Sequence, residues 1–213
     1  MKPSLLSVSL TLICLPCVFF GQSAPPNKPN LLDTILVMAG TSEPVDLTAK
    51  QKFQNYLLSI GGPAPLIAEA ASAGLSQWGN NPTEWGQGWG AYGQRFGSAL
   101  AYNGIRQSIL YGLSVPFHED CRYFPSKAHG FFPRAGHALV SGFIAKHPDG
   151  RQRFSFSDIA AVGGAAAISS TWGPSSWKGF GNIAQTAGVS FASTAAFNVF
   201  REFAPDILHR PRR

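Results

Sequence analysis

The chain has 213 residues, and its formal net charge is +6. Only 13% of the residues are charged, about half the usual share, while Gly and Ala are abundant. This length suits one domain with a substantial core, and the composition predicts tightly packed helices in a compact bundle or against a membrane. The basic residues are scattered rather than gathered on one predicted face, so we expect no nucleic-acid partner.

The first 23 residues have the pattern of a secretory signal peptide. Lys2 precedes an apolar run from Leu5 to Phe20. Small residues follow at Gly21, Ser23 and Ala24. An uncleaved anchor is the alternative, although about 16 apolar residues is short against the roughly 20 that a spanning helix needs. We expect export to the cell envelope and a mature chain that begins near Gln22 or Ala24.

Cleavage would remove Cys14 and Cys17 and leave Cys121 as the one cysteine. Neither of the first two follows a small residue as a lipidated cysteine does, so we expect no lipid anchor. A single thiol excludes an intramolecular disulfide and a thiolate cluster that could carry a cofactor. We therefore expect no cofactor, and a Cys121 that is buried, paired with another chain or reactive.

A linker rich in Pro and Asn is predicted at 24–47, ahead of a helical domain at 48–208 and a basic tail at 209–213. Thr48 is a good N-cap for the first helix, which ends at Gly61-Gly62-Pro63. A second helix runs from Pro65 to Trp78 and a third from Trp85 to Leu113.

The second half of the domain predicts three more helices. One runs from Phe131 to Ala145, and a short extended piece follows at 151–156. Another helix, capped by Ser157, covers 158–171. The last runs from Ser176 to Phe203 and stops at Ala204-Pro205. Five or six helices with almost no strand predict an all-α fold, a bundle that is either soluble or embedded in a membrane.

Small residues recur at helical spacing in two of these helices. The first stripe consists of Gly93, Gly97, Ala101, Gly104, Ser108 and Gly112, and the second of Ala184, Gly188, Ala192 and Ala196. Such spacing places small residues on one face, where another helix can approach closely. We expect both stripes, and a third at Ala135, Ala138, Gly142 and Ala145, to be packing faces.

Two uncharged windows, Ile159–Trp177 and Gly179–Phe200, raise the question of membrane insertion. Both contain few of the Leu, Ile and Val residues that favour insertion. The helix predicted at 131–145 would be about 22 Å long, short of a 30 Å hydrocarbon core. Membrane insertion or tight membrane association and a soluble bundle therefore both stay open.

The densest polar cluster is the sequence F-H-E-D-C-R-Y-F from Phe117 to Phe124. His118 could act as a general base with Asp120 to orient it, and His118 with Glu119 could contribute to a metal site. The histidine spacing matches no metal-ligand pattern, so we predict no metal. The alternative is a structural connector in which Asp120 pairs with Arg122.

The sequence R-A-G-H-A-L from Arg134 to Leu139 resembles the S-G-H-A core of the phosphatidic-acid phosphatase type 2 family. The resemblance implies His137 as an acid and Arg134 as a phosphate contact. It covers six residues only, because the upstream lysine- and arginine-bearing element and the downstream element with the nucleophile have no counterpart in this chain.

A broader resemblance covers most of the mature chain. It rests on E-W-G-Q-G and Y-G-Q-R-F-G within 84–97, H-E-D-C-R-Y-F at 118–124 and F-N-V-F-R-E-F-A-P-D-I at 197–207. The chain is similar in these motifs to a group of uncharacterised, signal-bearing, all-α bacterial envelope proteins, which implies compartment and fold but no activity.

Two functions follow as expectations. The first is a non-enzymatic envelope protein whose helices associate with membrane lipid, another envelope component or a second copy of the chain. The alternative is a small hydrolase of phosphate esters that uses His118, Asp120 and His137, with Arg122 and Arg134 as candidate binding residues.

Overall fold

The computed structural model describes residues 47–207, so the predicted signal peptide, the linker up to residue 46 and the basic tail lie outside the described residues. Within this range the chain is mostly helical, which confirms the all-α class. Its helices are α1 Ala49–Gly61, α2 Pro63–Trp78, α3 Trp89–Phe117, α4 Phe131–Val140, α5 Phe156–Ser169 and α6 Phe180–Ile207. Two three-residue strands, β1 Ile144–Lys146 and β2 Gln152–Phe154, form an antiparallel hairpin.

The first helix begins where its capping residue predicts. The Thr48 hydroxyl accepts a hydrogen bond from the Gln51 amide, and the Gln51 side chain accepts one from the Thr48 amide. This reciprocal capping box satisfies amides that lack partners within the helix. The predicted start of α1 is therefore correct.

The long helix α3 is the centre of the bundle. Helices α1 and α2 both run antiparallel to α3 and lie one after the other along it. The Asn103 side-chain amide donates to the Ser59 carbonyl of α1, and the Tyr92 hydroxyl donates to the Ala70 carbonyl of α2. Helix α5 packs along α3, where Tyr102 meets Ala165 and Ala166 in a small apolar core. Helix α6 covers this core and also packs against α4.

Several predicted boundaries differ from the structure. Helix α3 covers Trp89–Phe117 instead of 85–113, and α6 begins at Phe180 instead of Ser176, after short 3-10 turns at Thr83–Trp85 and Ser175–Trp177. Tertiary contacts account for two other differences. Helix α4 ends at Val140 instead of Ala145, because Lys146 forms a backbone bridge with Asp120 that draws the following residues into β1. Helix α5 is capped by Ser155, two residues before the predicted cap, and the Ser155 hydroxyl accepts a hydrogen bond from the Asp158 amide. Helix α6 also continues past the predicted stop, as far as Ile207.

The prediction that the two long small-residue stripes are packing faces is wrong. Apart from the half-buried Gly104, the members of both stripes are exposed, and a methyl group built on Gly97 or Gly188 would meet no atom within 4 Å. The third stripe does pack inward: Ala138, Gly142 and Ala145 are buried, and a methyl group on Gly142 would lie 3.4 Å from Thr194. The α3 and α6 stripes thus belong to the outer surface.

Polar side chains occupy much of the interior, and large apolar side chains occupy much of the surface. The buried apolar residues are mostly alanines, whereas buried charged residues include Glu69, Arg95, Arg106 and Glu202. Trp78, Trp89, Phe132 and Phe180, in contrast, are each more than four-fifths exposed. No helix in residues 47–207 combines the length and the apolar character that a membrane span requires.

Candidate functional site

The predicted catalytic cluster lies in the connection between α3 and α4. His118 ends α3 with a left-handed backbone (φ 54°) and is exposed. Its Nδ1 atom lies 3.1 Å from the Pro116 carbonyl oxygen. The ring therefore bonds to its own helix end rather than to Asp120.

Asp120 is bound to Arg122, as the connector interpretation expects. The Arg122 Nε atom donates to both carboxylate oxygens at 2.9 and 3.1 Å, and Nη2 donates to Oδ2 at 2.5 Å. The backbone amide of Arg122 also donates to Oδ1. A carboxylate that accepts this many bonds is held in place as a turn-forming group. In the structure Asp120 contacts Arg122 and His118 contacts the Pro116 carbonyl. The hydrolase hypothesis stays a prediction.

Glu119 turns away from His118 and into the interior, where it caps the first turn of α5. Its carboxylate accepts hydrogen bonds from the amides of Phe156 and Ser157 at 3.3 and 3.0 Å, and from the Ser155 hydroxyl at 3.1 Å. A negative charge at a helix N-terminus is favourable because it meets unsatisfied amides and the positive end of the dipole. The described residues contain no group of three or more His, Cys, Asp or Glu side chains that could hold a metal ion.

His137 and Arg134, the residues of the phosphatase-like sequence, have separate partners. The Nε2 atom of His137 donates to the Phe124 carbonyl at 2.9 Å and so ties the connection to α4. Arg134 donates to the Glu202 carboxylate at 2.9 Å and to Asp206 at 2.6 Å. Burial opposes the charge of Arg134, yet hydrogen bonds to both carboxylates raise its pKa overall.

The fully buried Glu202 links α6 to the connection. Its carboxylate accepts hydrogen bonds from the Tyr123 hydroxyl, the Ser126 amide and Arg134. Burial and the bond to Glu202 raise the pKa of Tyr123 far above its ordinary value, so the phenol keeps its proton. This cluster fastens α4 and the connection to the end of α6.

Arg106 is the central charge of a second cluster, and the sequence reasoning missed it. Its guanidinium lies 3.6 Å from the Asp158 carboxylate on α5 and also attracts Glu69 on α2. Burial raises the pKa of Glu69 to about 8, with Arg106 acting in the opposite direction. Burial likewise raises the pKa of Asp158, and Arg106 lowers it in part. Three helices thus meet around one buried cation.

Cys121 lies beside this cluster, with its Sγ atom 3.5 Å from the Ser155 hydroxyl. Burial, followed by the charge of Asp158, raises the pKa of the Cys121 thiol well above its ordinary value. Because the thiolate is the nucleophilic form, this environment makes Cys121 a poor nucleophile. The sequence predicts that Cys121 is buried, paired with another chain or reactive, and the structure shows a partly buried free thiol.

All five tryptophans of the chain lie at one end of the bundle. Trp78 ends α2 and Trp89 begins α3, and the Gln77 side chain spans these two helix ends by donating to the Gly88 carbonyl. The Trp85 and Trp177 rings are 5.2 Å apart. The indole nitrogen of Trp172 donates to Ser98 in α3.

This tryptophan end carries few charges. Glu84 is the one charged residue between 70 and 94, and Lys178 is the one between 159 and 200. The neighbouring Arg95 is fully buried, and it donates to the carbonyls of Asn81 and Pro82 at 2.9 Å. The exposed surface here therefore presents the rings of Trp78, Trp89 and Phe180 among uncharged polar side chains.

A sequence signal could have located Arg95 and Arg106. They are the two charged residues of α3, a helix that is otherwise uncharged. Isolated charges in an apolar helix usually face the interior and have partners there. The small-residue stripe lies on the opposite face of the same helix.

Comparison of the chain with protein-family models, with curated proteins and with solved structures found no match.

Proposed function

We propose that the protein is a non-enzymatic protein of the cell envelope, exported by its signal-like N-terminus, whose tryptophan end enters the interface of a lipid membrane. The observation that carries the proposal is the collection of five tryptophans at one end of the bundle, where charges are few. Tryptophan favours the membrane–water interface because its ring is apolar and its N–H is polar.

The exposure of the rings supports lipid contact. Trp78 and Trp89 are 87% and 89% exposed, and Phe180 at the start of α6 is 87% exposed. Exposed aromatic side chains that are grouped at one end of a bundle are typical of a membrane or protein interaction site. Penetration of one end into the lipid needs no spanning helix, since interfacial binding depends on the apolar area that the headgroup region covers.

Charge distribution supports the same orientation. The opposite end carries most of the exposed charged and histidine side chains, including Lys127, His129, Asp149, Arg151 and Arg153. The exposed charges are therefore concentrated at the end away from the tryptophans, where exposed phenylalanines such as Phe132 and Phe154 also lie. This polarity suits a protein that stands in a membrane surface with its ionic end in water.

The proposal is tested with the mature chain and neutral phosphatidylcholine vesicles, in which charge attraction is minimal. We expect a blue shift of tryptophan emission and strong quenching by brominated lipid chains. Replacing Trp78 and Trp89 together with serine should weaken vesicle partitioning by about tenfold or more, because it removes the two most exposed indoles.

The matched control is Phe132→Ser, which removes an 84% exposed ring at the start of α4, at the opposite end. We expect this variant to partition like the natural chain. Equal weakening by both changes would indicate general apolar adsorption, and no partitioning at all would contradict the proposal outright.

A further inference from the structure

A polar cavity lies between α3, α5 and α6. Its volume is about 40 Å³, and Arg106, Gln107, Asp158, Asn198 and Arg201 are among the side chains that line it. By the volume that a buried water occupies, this is space for about three water molecules, close to the size of a small oxyanion.

Positive charge predominates in the lining. Arg106 and Arg201 contribute two guanidinium groups, against the single carboxylate of Asp158. Three further carboxylates lie nearby: Glu202 is bound to Arg134, Glu119 is bound to the amides of Phe156 and Ser157, and Glu69 has a pKa of about 8 and is mostly protonated at pH 7. None of the three is in the lining, which itself carries two guanidinium groups and one carboxylate.

Two amide side chains provide hydrogen-bonding capacity in the same lining. Gln107 is 2% exposed and Asn198 is 5% exposed. Both side chains line the cavity. An amide offers two N–H donors, so an oxyanion in the cavity can accept hydrogen bonds from these groups.

We propose that this cavity binds a small oxyanion, a carboxylate or a phosphate, through the guanidinium groups of Arg106 and Arg201 and the amides of Gln107 and Asn198. Guanidinium groups suit planar and tetrahedral oxyanions because their N–H groups form a fork that bonds to two oxygens at once. A second hollow of about 40 Å³, lined by Lys52, Tyr56, Glu119 and Asp120 among others, shares Gln107 and Cys121 with the cavity.

The test is a titration of the mature chain with sodium phosphate and, separately, sodium acetate, each compared with sodium chloride at equal ionic strength. Calorimetry and thermal melting are recorded together. We expect saturable binding of at least one of the two oxyanions and a rise in melting temperature of about 5 °C at a hundredfold excess over Kd. The two arms distinguish a phosphate site from a carboxylate site.

Two variants assign the binding to this cavity. Arg201→Gln removes one fork, and Asn198→Ala removes one amide without a change in charge; each should weaken affinity by about tenfold or more. Arg153→Gln is the matched control, because Arg153 is an exposed arginine of the β-hairpin, and it should bind like the natural chain.

The absence of saturable oxyanion binding by the natural chain would overturn the proposal. The proposal would also fail if neither Arg201→Gln nor Asn198→Ala reduced the affinity, or if Arg153→Gln reduced it equally. If Arg201→Gln fails to fold by circular dichroism, Asn198→Ala decides the assignment, and if both fail, the titration of the natural chain against chloride decides whether an oxyanion site exists.

Discussion

Replacing Glu69 with glutamine should remove a steep loss of stability between weakly acidic and weakly alkaline pH. Glu69 is 1% exposed in α2, and burial raises its pKa from 4.5 to about 8 although Arg106 acts against the shift. Between these two pH values the folded chain binds the proton and the unfolded chain releases it. The stability from protonated Glu69 is therefore complete below about pH 4.5 and is lost as the pH rises through 8.

The magnitude follows from the pKa difference. One pKa unit corresponds to about 1.4 kcal/mol, so the free energy of unfolding of the natural chain should fall by roughly 5 kcal/mol from this group alone. This is a large part of the 5–15 kcal/mol that is typical of a folded domain. Glutamine has nearly the shape of protonated glutamate and does not titrate, so Glu69→Gln should be the more stable chain at pH 8.

The assay is urea unfolding followed by circular dichroism from pH 5 to pH 9. Comparison of Glu69→Gln with the natural chain cancels the titration of the histidines that both contain. Glu84→Gln is the control: hydrogen bonds to Ser176 lower the pKa of this exposed glutamate, so it stays ionised throughout the range. The reasoning would be refuted if the stability difference between the two chains did not grow with pH.

Two further predictions concern close contacts and helix capping. Gly188→Ala should stabilise the fold by about 0.5–1 kcal/mol, since the added methyl group meets no atom and alanine favours a helix. Gly173→Ala should cost about 1–3 kcal/mol, because the added methyl group would overlap the Trp177 ring. Melting temperatures of both variants equal to that of the natural chain would contradict these two predictions. Glu119→Ala should lower the free energy of unfolding by about 2 kcal/mol, because the first amides of α5 lose their acceptor. His118→Asn, at an exposed left-handed position, should change the free energy of unfolding by less than about 0.5 kcal/mol in chemical denaturation. A greater loss for His118→Asn would mean that the role of His118 extends beyond the helix end.

Local signals predicted the boundaries of the first two helices well. Thr48 caps α1 and Gly79 follows α2, as expected, and Gly62 separates the two helices, with α2 beginning at Pro63, two residues before the predicted start. These boundaries depend on capping and on backbone conformations that the residues themselves determine. The errors at α4 and α5 arise where distant groups intervene: Asp120 draws Lys146 into a strand pairing, and Glu119 satisfies the first amides of α5.

The small-residue stripes illustrate a different limit of sequence reasoning. Helical spacing correctly places Gly97, Ala101 and Gly104 on one face of α3, but spacing alone does not say whether that face is inside. The opposite face, with Arg95 and Arg106, is buried because backbone carbonyls and the Asp158 carboxylate from other elements satisfy its donors. A polar face becomes an interior face only when such partners are present.

The sequence by itself determined the all-α class, the order of the helices and the breaks between them, since these depend on interactions within a few residues. Only the tertiary structure decided which faces turn inward, because Arg134 and Glu202, or Ser98 and Trp172, become partners across about 70 residues of chain. The gathering of five tryptophans at one end also required the fold, since antiparallel packing places the end of α2 beside the start of α3 and the end of α5 beside the start of α6.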